Sequence, residues 1–317
     1  MAHQGTTFTL NTGAKIPAIG FGTWQDADAQ EPAVTIALKA GYRHVDTARI
    51  YGTEAAVGNA IKKSGIARDQ LFITSKLWNN SHHADDVEKA LDASLEDLGT
   101  DYLDLFLMHW PSPFARSDTL MPKDKDGNIQ AGDTDYVETY KAMEKCMKSG
   151  KTKAIGVSNF SKAELERLLK ETSVVPAAHQ IELHPWLQQQ SFTDFHKQKG
   201  IQYSPFGNQN EIYDSGKDLG KLMDDPVLVE IGKKHGKSGA QVALAWGIAK
   251  AHSVIPKSKT EHRIKSNLEG DFKLPEEDVK KIDTIDKKLR FNDPSKSFQW
   301  NFYADLDGKK GRKTEQR

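Results

Sequence analysis

The feature that most limits what this chain can fold into is a regular alternation of two patterns. Short apolar runs bounded by polar residues recur at 44–48, 71–76, 102–110, 153–159, 177–183, 200–206 and 252–258, with a weaker one at 270–274. Runs that are apolar throughout suit parallel strands covered on the outside by helices. Helical periodicity is clearest over 85–98, 136–148, 162–170, 226–235 and 238–250. Ser161-Lys162-Ala163-Glu164 has the form of a capping box, and Gly41, Gly99 and Gly150 sit where helices should stop. Eight strand–helix units in one unbroken series predict an α/β fold, a (β/α)8 TIM barrel, with a doubly wound sheet as the competing arrangement. Ahead of the series, residues 8–24 read as an N-terminal β-hairpin turning at Asn11-Thr12-Gly13, then a glycine-rich strand end, Gly20-Phe21-Gly22-Thr23-Trp24. No linker or repeat interrupts the chain, which predicts a single barrel domain over 1–317 with the basic, polar stretch 308–317 as a frayed tail.

Composition removes several function classes. Lysines plus arginines equal aspartates plus glutamates at 44 each, so bulk charge does not point to nucleic acid or an anionic membrane as a partner. The one cysteine, Cys146, excludes an intrachain disulfide and a cysteine zinc site, and its helical setting suggests core packing. Residues 1–10 carry no apolar leader region and no later run reaches membrane-spanning length, so the expected location is the cytoplasm. His82-His83 with Asp85-Asp86 resembles a metal motif, but adjacent residues at a helix start rarely converge on one ion, and no metal is expected. His184-Pro185 reads as structural.

Two stretches break the rhythm, 111–134 and 290–307, and insertions after barrel strands lie over the active-site end. Polar residues gather at successive strand ends. Asp46 and Tyr51 follow one strand, Lys76 ends the next, His109 the next, Ser158-Asn159 the next, and Gln180 lies in the one after. Singly, each has a plain reading as a strand cap or a satisfied core residue. Jointly, they place an acid, a phenol, an amine and an imidazole at one end of one barrel, a set suited to proton transfer at a carbonyl.

The segments Gly41-Tyr42-Arg43-His44-Val45-Asp46-Thr47-Ala48, Tyr51-Gly52-Thr53-Glu54, Thr74-Ser75-Lys76-Leu77-Trp78, Leu107-Met108-His109-Trp110-Pro111, Ile155-Gly156-Val157-Ser158-Asn159-Phe160 and Ile255-Pro256-Lys257-Ser258 resemble the hallmarks of the aldo-keto reductases, in order and with familiar spacing. The resemblance runs from about residue 8 to 294. It implies that Asp46, Tyr51, Lys76 and His109 form a catalytic tetrad. On that reading, the Lys76 ammonium is expected to pull the Tyr51 phenol below its ordinary pKa of about 10. His109 would orient the carbonyl. The hydride needs a cofactor, and no G-x-G-x-x-G follows an early strand, so a Rossmann site is not expected.

The resemblance implies NADP(H) instead, extended across the barrel mouth. Ser158, Asn159 and Gln180 would hold the carboxamide and Tyr203 would stack on the ring. Gly22, Thr23, Trp24, Asp46, Ser204 and Phe206 complete the implied contacts. Lys257, Ser258, Thr260 and Arg263 would bind the 2′-phosphate, with Asn267 near adenine. Lys259 and Lys265 also read as a solvated charge run. Ser266 departs from the glutamate of many relatives, so an adenine contact there is not carried over.

Trp24, Trp78, His109 and Trp110, with Ile50, are implied as the substrate wall, and Trp300 and Phe302 as closing the mouth. Overall the chain looks most like fungal NADP-dependent glycerol dehydrogenases and aldehyde reductases, whereas Leu289-Arg290-Phe291-Asn292-Asp293-Pro294 looks like xylose reductases. Those pentose reductases tend to carry an acidic residue before the catalytic tyrosine, where this chain has Ile50. That favours a short aldehyde or its polyol as the partner, and family habit implies a monomer. A pentose reductase is the alternative, and a non-catalytic cofactor-binding protein is the alternative of another class.

Overall fold

The computed structural model describes residues 5–206 and 220–308. Thr7–Thr9 (β1) and Lys15–Pro17 (β2) form the antiparallel hairpin, turning at Asn11-Thr12-Gly13, where Gly13 takes a φ of 85°. Seven parallel strands follow, each hydrogen-bonded to the next: Phe21–Gly22 (β3), His44–Asp46 (β4), Phe72–Leu77 (β5), Leu105–Met108 (β6), Ile155–Ser158 (β7), Ala178–Gln180 (β8) and Gln202–Tyr203 (β9). Residues 252–256 close the ring. Ser253 N–H donates to the Tyr203 carbonyl and Val254 N–H to that of Ala18, while Gly20 and Gly22 donate to the carbonyls of Val254 and Pro256. The architecture is an α/β barrel of the TIM type, and the hairpin is the one expected.

One strand assignment is corrected. Residues 270–274 form no strand, because the place beside 252–256 is already taken by β3. Phe272 and Leu274 owe their apolar character to packing against the main core between two helices.

The helices are Ala27–Ala40 (α1), Glu54–Ser64 (α2), Ala84–Leu98 (α3), Tyr136–Lys148 (α4), Lys162–Glu171 (α5), Gln190–Lys199 (α6), Pro226–His235 (α7), Gly239–Ala249 (α8), Glu261–Leu268 (α9), Glu276–Asp283 (α10) and Ser295–Phe298 (α11). Gly41 and Gly99 cap α1 and α3 in the left-handed conformation, and Ser161 and Glu164 close a full capping box on α5. Apolar residues fall into three layers. Leu10 and Ile16 of the hairpin plug the barrel floor against Phe72, Leu105, Leu107 and Ala178. The largest layer lies between strands and helices and includes Cys146, whose thiol burial pushes up to about 11, as core packing requires. The third layer sits at the mouth. Inside the barrel, a side chain at Gly156 would come within 2.3 Å of the Ala178 carbonyl, so only glycine fits. No helix among the described residues is long and apolar enough to cross a membrane, and residues 309–317 of the expected tail lie outside the described residues.

Between β7, β8 and α6 runs a buried histidine relay. Phe160 N–H donates to His179 Nε2 (3.1 Å), so His179 carries its proton on Nδ1 and donates to His196 Nε2 (2.7 Å). His196 Nδ1–H then donates to the Phe192 carbonyl (2.5 Å). Every partner is used with both rings neutral, and a proton on either ring would break the chain. Burial lowers the pKa of His44 and His196 to about 4 and of His82 and His252 to about 3, and holds His109 and His179 well below the ordinary value. The unfolded chain takes up these protons near pH 6.5, and the folded chain does so only near pH 4 or lower. Stability is therefore complete above about pH 6.5 and falls as the pH drops toward 4, by up to about 1.4 kcal/mol per pH unit for each such histidine. Urea midpoints measured at pH 7, 6, 5 and 4.5 should decline steadily. A flat profile from pH 7 to 5 contradicts the neutral buried histidines.

Candidate active site

Parallel register aligns the strand ends. Gly22 pairs with Asp46, Asp46 with Thr74, Lys76 with Leu107, and Ser158 with Gln180, so Asp46, Lys76, Ser158 and Gln180 fall at the carboxyl ends of neighbouring strands. Lys76 is fully buried there. Its Nζ donates to Asp46 Oδ1 (2.6 Å), the Thr47 carbonyl (2.9 Å) and the Tyr51 hydroxyl (3.3 Å). Asp46 Oδ2 accepts from Gln180 Nε2 (2.7 Å). Lys76 and Gln180 together thus engage both oxygens of the Asp46 carboxylate.

Tyr51 ends a short 3-10 turn, Arg49–Tyr51, closed by Gly52 at a φ of 65°. Arg49 anchors the turn to Glu54 and Asp97, and Glu54, buried, accepts from Ser75 Oγ (2.6 Å). A ladder of buried hydroxyls from Thr23 through Thr53 to Thr47 stitches the turn to β3 and β4 (3.3 and 3.0 Å). Thr47, Thr53 and Glu54 gave no chemical signal in the sequence beyond their place in the motif.

The electrostatics depart from expectation at Tyr51. Burial raises its pKa more than the Lys76 ammonium lowers it, and Asp46 adds to the rise, so the phenol stays protonated above its ordinary value. Burial also opposes the Lys76 ammonium, but Asp46 and Tyr51 outweigh it and the amine is held charged. His109 lies edge-on to Tyr51 with ring centroids 5.6 Å apart. Burial, reinforced by Lys76, keeps it neutral, and its Nδ1 is buried without a hydrogen-bond partner among the described residues.

The third apolar layer covers this cluster. Trp78 packs on His109, Phe114 and Phe298 at 5.1, 5.7 and 6.1 Å and is fixed by its Nε1–H to the Leu120 carbonyl (2.6 Å). Trp110 packs on Phe298 and Phe302 at 5.4 and 4.7 Å. Ile50 joins Trp78 and Phe114. Phe114, Leu120 and Phe298, supplied by the two insertions, were not singled out in the sequence. Trp24 is half-buried and takes no part in this cluster. Trp300 is half-buried with its indole N–H bonded to Glu164 of α5 (2.7 Å), and Phe302 is fully buried beneath Trp110. Buried Glu182 pins the second insertion by accepting from the N–H groups of Phe291 (2.6 Å) and Asn292 (2.7 Å) and bonding His184 (3.0 Å), which gives His184 its structural role.

Along the mouth, Ser158, Asn159 and Gln180 form a polar shelf, with Asn159 at a φ of 60° donating to the His109 carbonyl and Ser158 Oγ (both 3.0 Å). Tyr203, on the next strand, is buried on His196 and His252. Ser204 donates to the Ser253 carbonyl (3.3 Å) and Phe206 bridges to Glu182, so both help hold the ring of strands. Gly22 lies against Ile255, where an added Cβ would sit 3.1 Å away.

Further round, Lys257 and Lys259 both donate to Asp26 (2.5 and 2.9 Å). Ser258 Oγ accepts from Thr260 N–H (3.1 Å), and Thr260 begins α9 without a side-chain cap. Arg263 is exposed and has no side-chain partner among the described residues, and Asn267 is half-buried. Lys265 pairs with Glu261 on the solvated face of α9. Cations, hydroxyls and an uncapped helix start form a donor set that fits a phosphate group, and the amide shelf fits a carboxamide. His83 caps α3 and His82 is buried, so the two do not converge on an ion.

An acid–amine–phenol cluster at the carboxyl mouth of an α/β barrel, roofed by aromatic rings, defines a barrel enzyme. The model of the aldo/keto reductase family matches residues 18–287. An uncharacterized oxidoreductase of Schizosaccharomyces pombe is 46% identical over 312 residues, or 96% of each chain. Aldo-keto reductase family 1 member A1 of Xenopus tropicalis is 45% identical over 293 residues, 89% of each chain. Among solved structures, the aldose reductase from Schistosoma japonicum matches with a TM-score of 0.86 at 32% identity, over 94% of this chain and 98% of that one. The chain belongs to the aldo/keto reductase family, and so to oxidoreductases that use a nicotinamide cofactor.

Proposed function

We propose that this enzyme reduces small aldehydes such as glyceraldehyde with NADPH, and runs in reverse as an NADP-dependent glycerol dehydrogenase. The observation that carries the reading is the Lys76 ammonium set between Asp46 and the Tyr51 hydroxyl, next to a neutral His109 and under an apolar roof. Bound NADPH supplies the hydride. Tyr51 donates its phenolic proton to the carbonyl oxygen, and Lys76 stabilises the tyrosinate left behind. His109, neutral, can donate one hydrogen bond to the same oxygen and so set the carbonyl's angle. Trp78, Trp110 and Ile50 exclude water from the hydride path. The enzyme is proposed to work as a monomer, since the reading needs no residue from a second copy.

The cofactor choice is supported by Lys257, Ser258, Thr260 and Arg263, with Ser158, Asn159, Gln180 and Tyr203 proposed for the nicotinamide end. Substrate choice is supported by Ile50, which offers a polyol no hydrogen-bond partner beside the phenol. The test is kcat/KM measured for glyceraldehyde, xylose, arabinose and a simple aromatic aldehyde, with NADPH and with NADH. Glyceraldehyde should exceed both pentoses by at least about tenfold, and NADPH should exceed NADH by at least about a hundredfold. Higher values for a pentose make this an aldose reductase of sugars. No turnover with any carbonyl supports a cofactor-binding protein without catalysis.

A further inference from the structure

The Lys257 and Lys259 ammonium groups meet on one carboxylate that comes from the opposite side of the barrel seam. Asp26 lies in the loop between β3 and α1, more than two hundred residues away in sequence, and its two oxygens are divided between the lysines, Oδ2 to Lys257 and Oδ1 to Lys259. The loop is built to present it. Gln25 and Asp26 both hold left-handed backbone, φ 66° and 55°, which is costly for residues other than glycine. Buried Gln30 braces this turn by donating its amide to the Gln25 carbonyl (2.6 Å), and Ala29 N–H donates to that of Asp26 (2.8 Å). Although Asp26 stands at the start of α1, its side chain caps no N–H there, so the helix does not account for the carboxylate. The lysine hydrogen bonds keep it ionised, with a pKa of about 2, throughout the working pH range.

Resting on the 2′-phosphate reading above, we infer that Asp26 is a built-in competitor for that phosphate, an anion of the protein that occupies Lys257 and Lys259 and sets how strongly the site prefers a phosphorylated ribose. Two anions sharing the same ammonium groups repel each other, so a 2′-phosphate must displace the carboxylate or tolerate it nearby. A ligand lacking the 2′-phosphate does not meet this competition. Asp26 therefore lowers affinity for NADPH-type ligands selectively, and it does so most at low salt, where exposed charges are least screened.

Asparagine tolerates left-handed backbone, so Asp26→Asn removes the charge without disturbing the turn. Binding of adenosine 2′,5′-bisphosphate and of adenosine 5′-monophosphate is to be measured by calorimetry for the wild type, Asp26→Asn, Lys257→Ala and the double variant. At about 20 mM salt, Asp26→Asn should tighten the bisphosphate by about threefold to tenfold and leave the monophosphate within about twofold. That gain should shrink to about twofold or less in the Lys257→Ala background, and it should also fade by about 200 mM salt. An unchanged or weaker bisphosphate affinity in Asp26→Asn overturns the inference, as does an equal gain for the monophosphate. A wild type that binds the bisphosphate no better than the monophosphate overturns the 2′-phosphate reading itself and the inference with it.

Discussion

Replacing Tyr51 with phenylalanine is expected to cost at least about a thousandfold in kcat for aldehyde reduction while leaving NADPH affinity within about threefold. Only the hydroxyl is removed, and among the described residues that oxygen has no hydrogen-bond partner apart from Lys76 (3.3 Å), so the fold loses one hydrogen bond near the mouth. The kinetic loss combines two roles. A positioned acid contributes about a hundredfold to ten-thousandfold, and a donor aimed at a developing alkoxide contributes on the same scale. Because burial keeps the phenol protonated, the residue is ready to act as an acid at neutral pH, which favours reduction. Oxidation of the alcohol needs the tyrosinate and should gain more from alkaline conditions. Rapid-mixing measurements of NADPH oxidation with glyceraldehyde, beside fluorescence titration of NADPH, separate the two parameters. Turnover within tenfold of the wild type in Tyr51→Phe would remove the phenol from the mechanism.

The parts legible in the sequence were those fixed by strand periodicity. Asp46, Lys76, His109, Ser158 and Gln180 sit at strand ends, and parallel register alone brings such positions to one mouth. The closure of the ring was harder to read. The run at 252–258 is visible in the sequence, but β3 holds only two residues, too short for any pattern, so the eighth place in the ring falls in the sequence to the apolar stretch 270–274. The roof of the pocket was only partly visible. Phe114 and Phe298 lie in insertions without periodicity, and their contacts with Trp78 depend on how those loops fold back. Trp300, unlike Trp110, has no catalytic neighbour in the sequence, and a half-buried acceptor, Glu164, takes its N–H. The direction of the Tyr51 shift could not be read from residue types, because Lys76 named the neighbouring charge and gave no measure of burial. Asp26 looked like any loop carboxylate until the barrel brought Lys257 to it.

The Asp46–Lys76 pair offers the second large effect, on stability as well as rate. Both side chains are buried, and a buried ion pair stabilises little relative to a well-packed neutral pair, whereas removing one partner leaves a charge without its counterion. Lys76→Met should therefore lose about 3–5 kcal/mol of unfolding free energy, since among the described residues the Asp46 carboxylate keeps only the Gln180 amide as a side-chain donor. Asp46→Asn should lose somewhat less. Without its carboxylate the lysine no longer has the partner that offsets burial, its pKa falls, and it can shed the proton. That second loss should shrink as the pH rises, because a folded-state lysine pKa below the unfolded value makes stability grow with pH until the unfolded lysine also titrates. The combined Asp46→Asn, Lys76→Met variant removes both charges and should recover to within about 1 kcal/mol of the wild type. All three should retain less than about a hundredth of wild-type kcat, because none keeps an ammonium beside Tyr51 to stabilise the tyrosinate. Urea unfolding at pH 7 and pH 9, run beside the glyceraldehyde assay, resolves both effects. If the double variant is no more stable than Lys76→Met, the pair is a structural element of the barrel; if it recovers stability and remains inactive, the buried charges serve the chemistry of Tyr51.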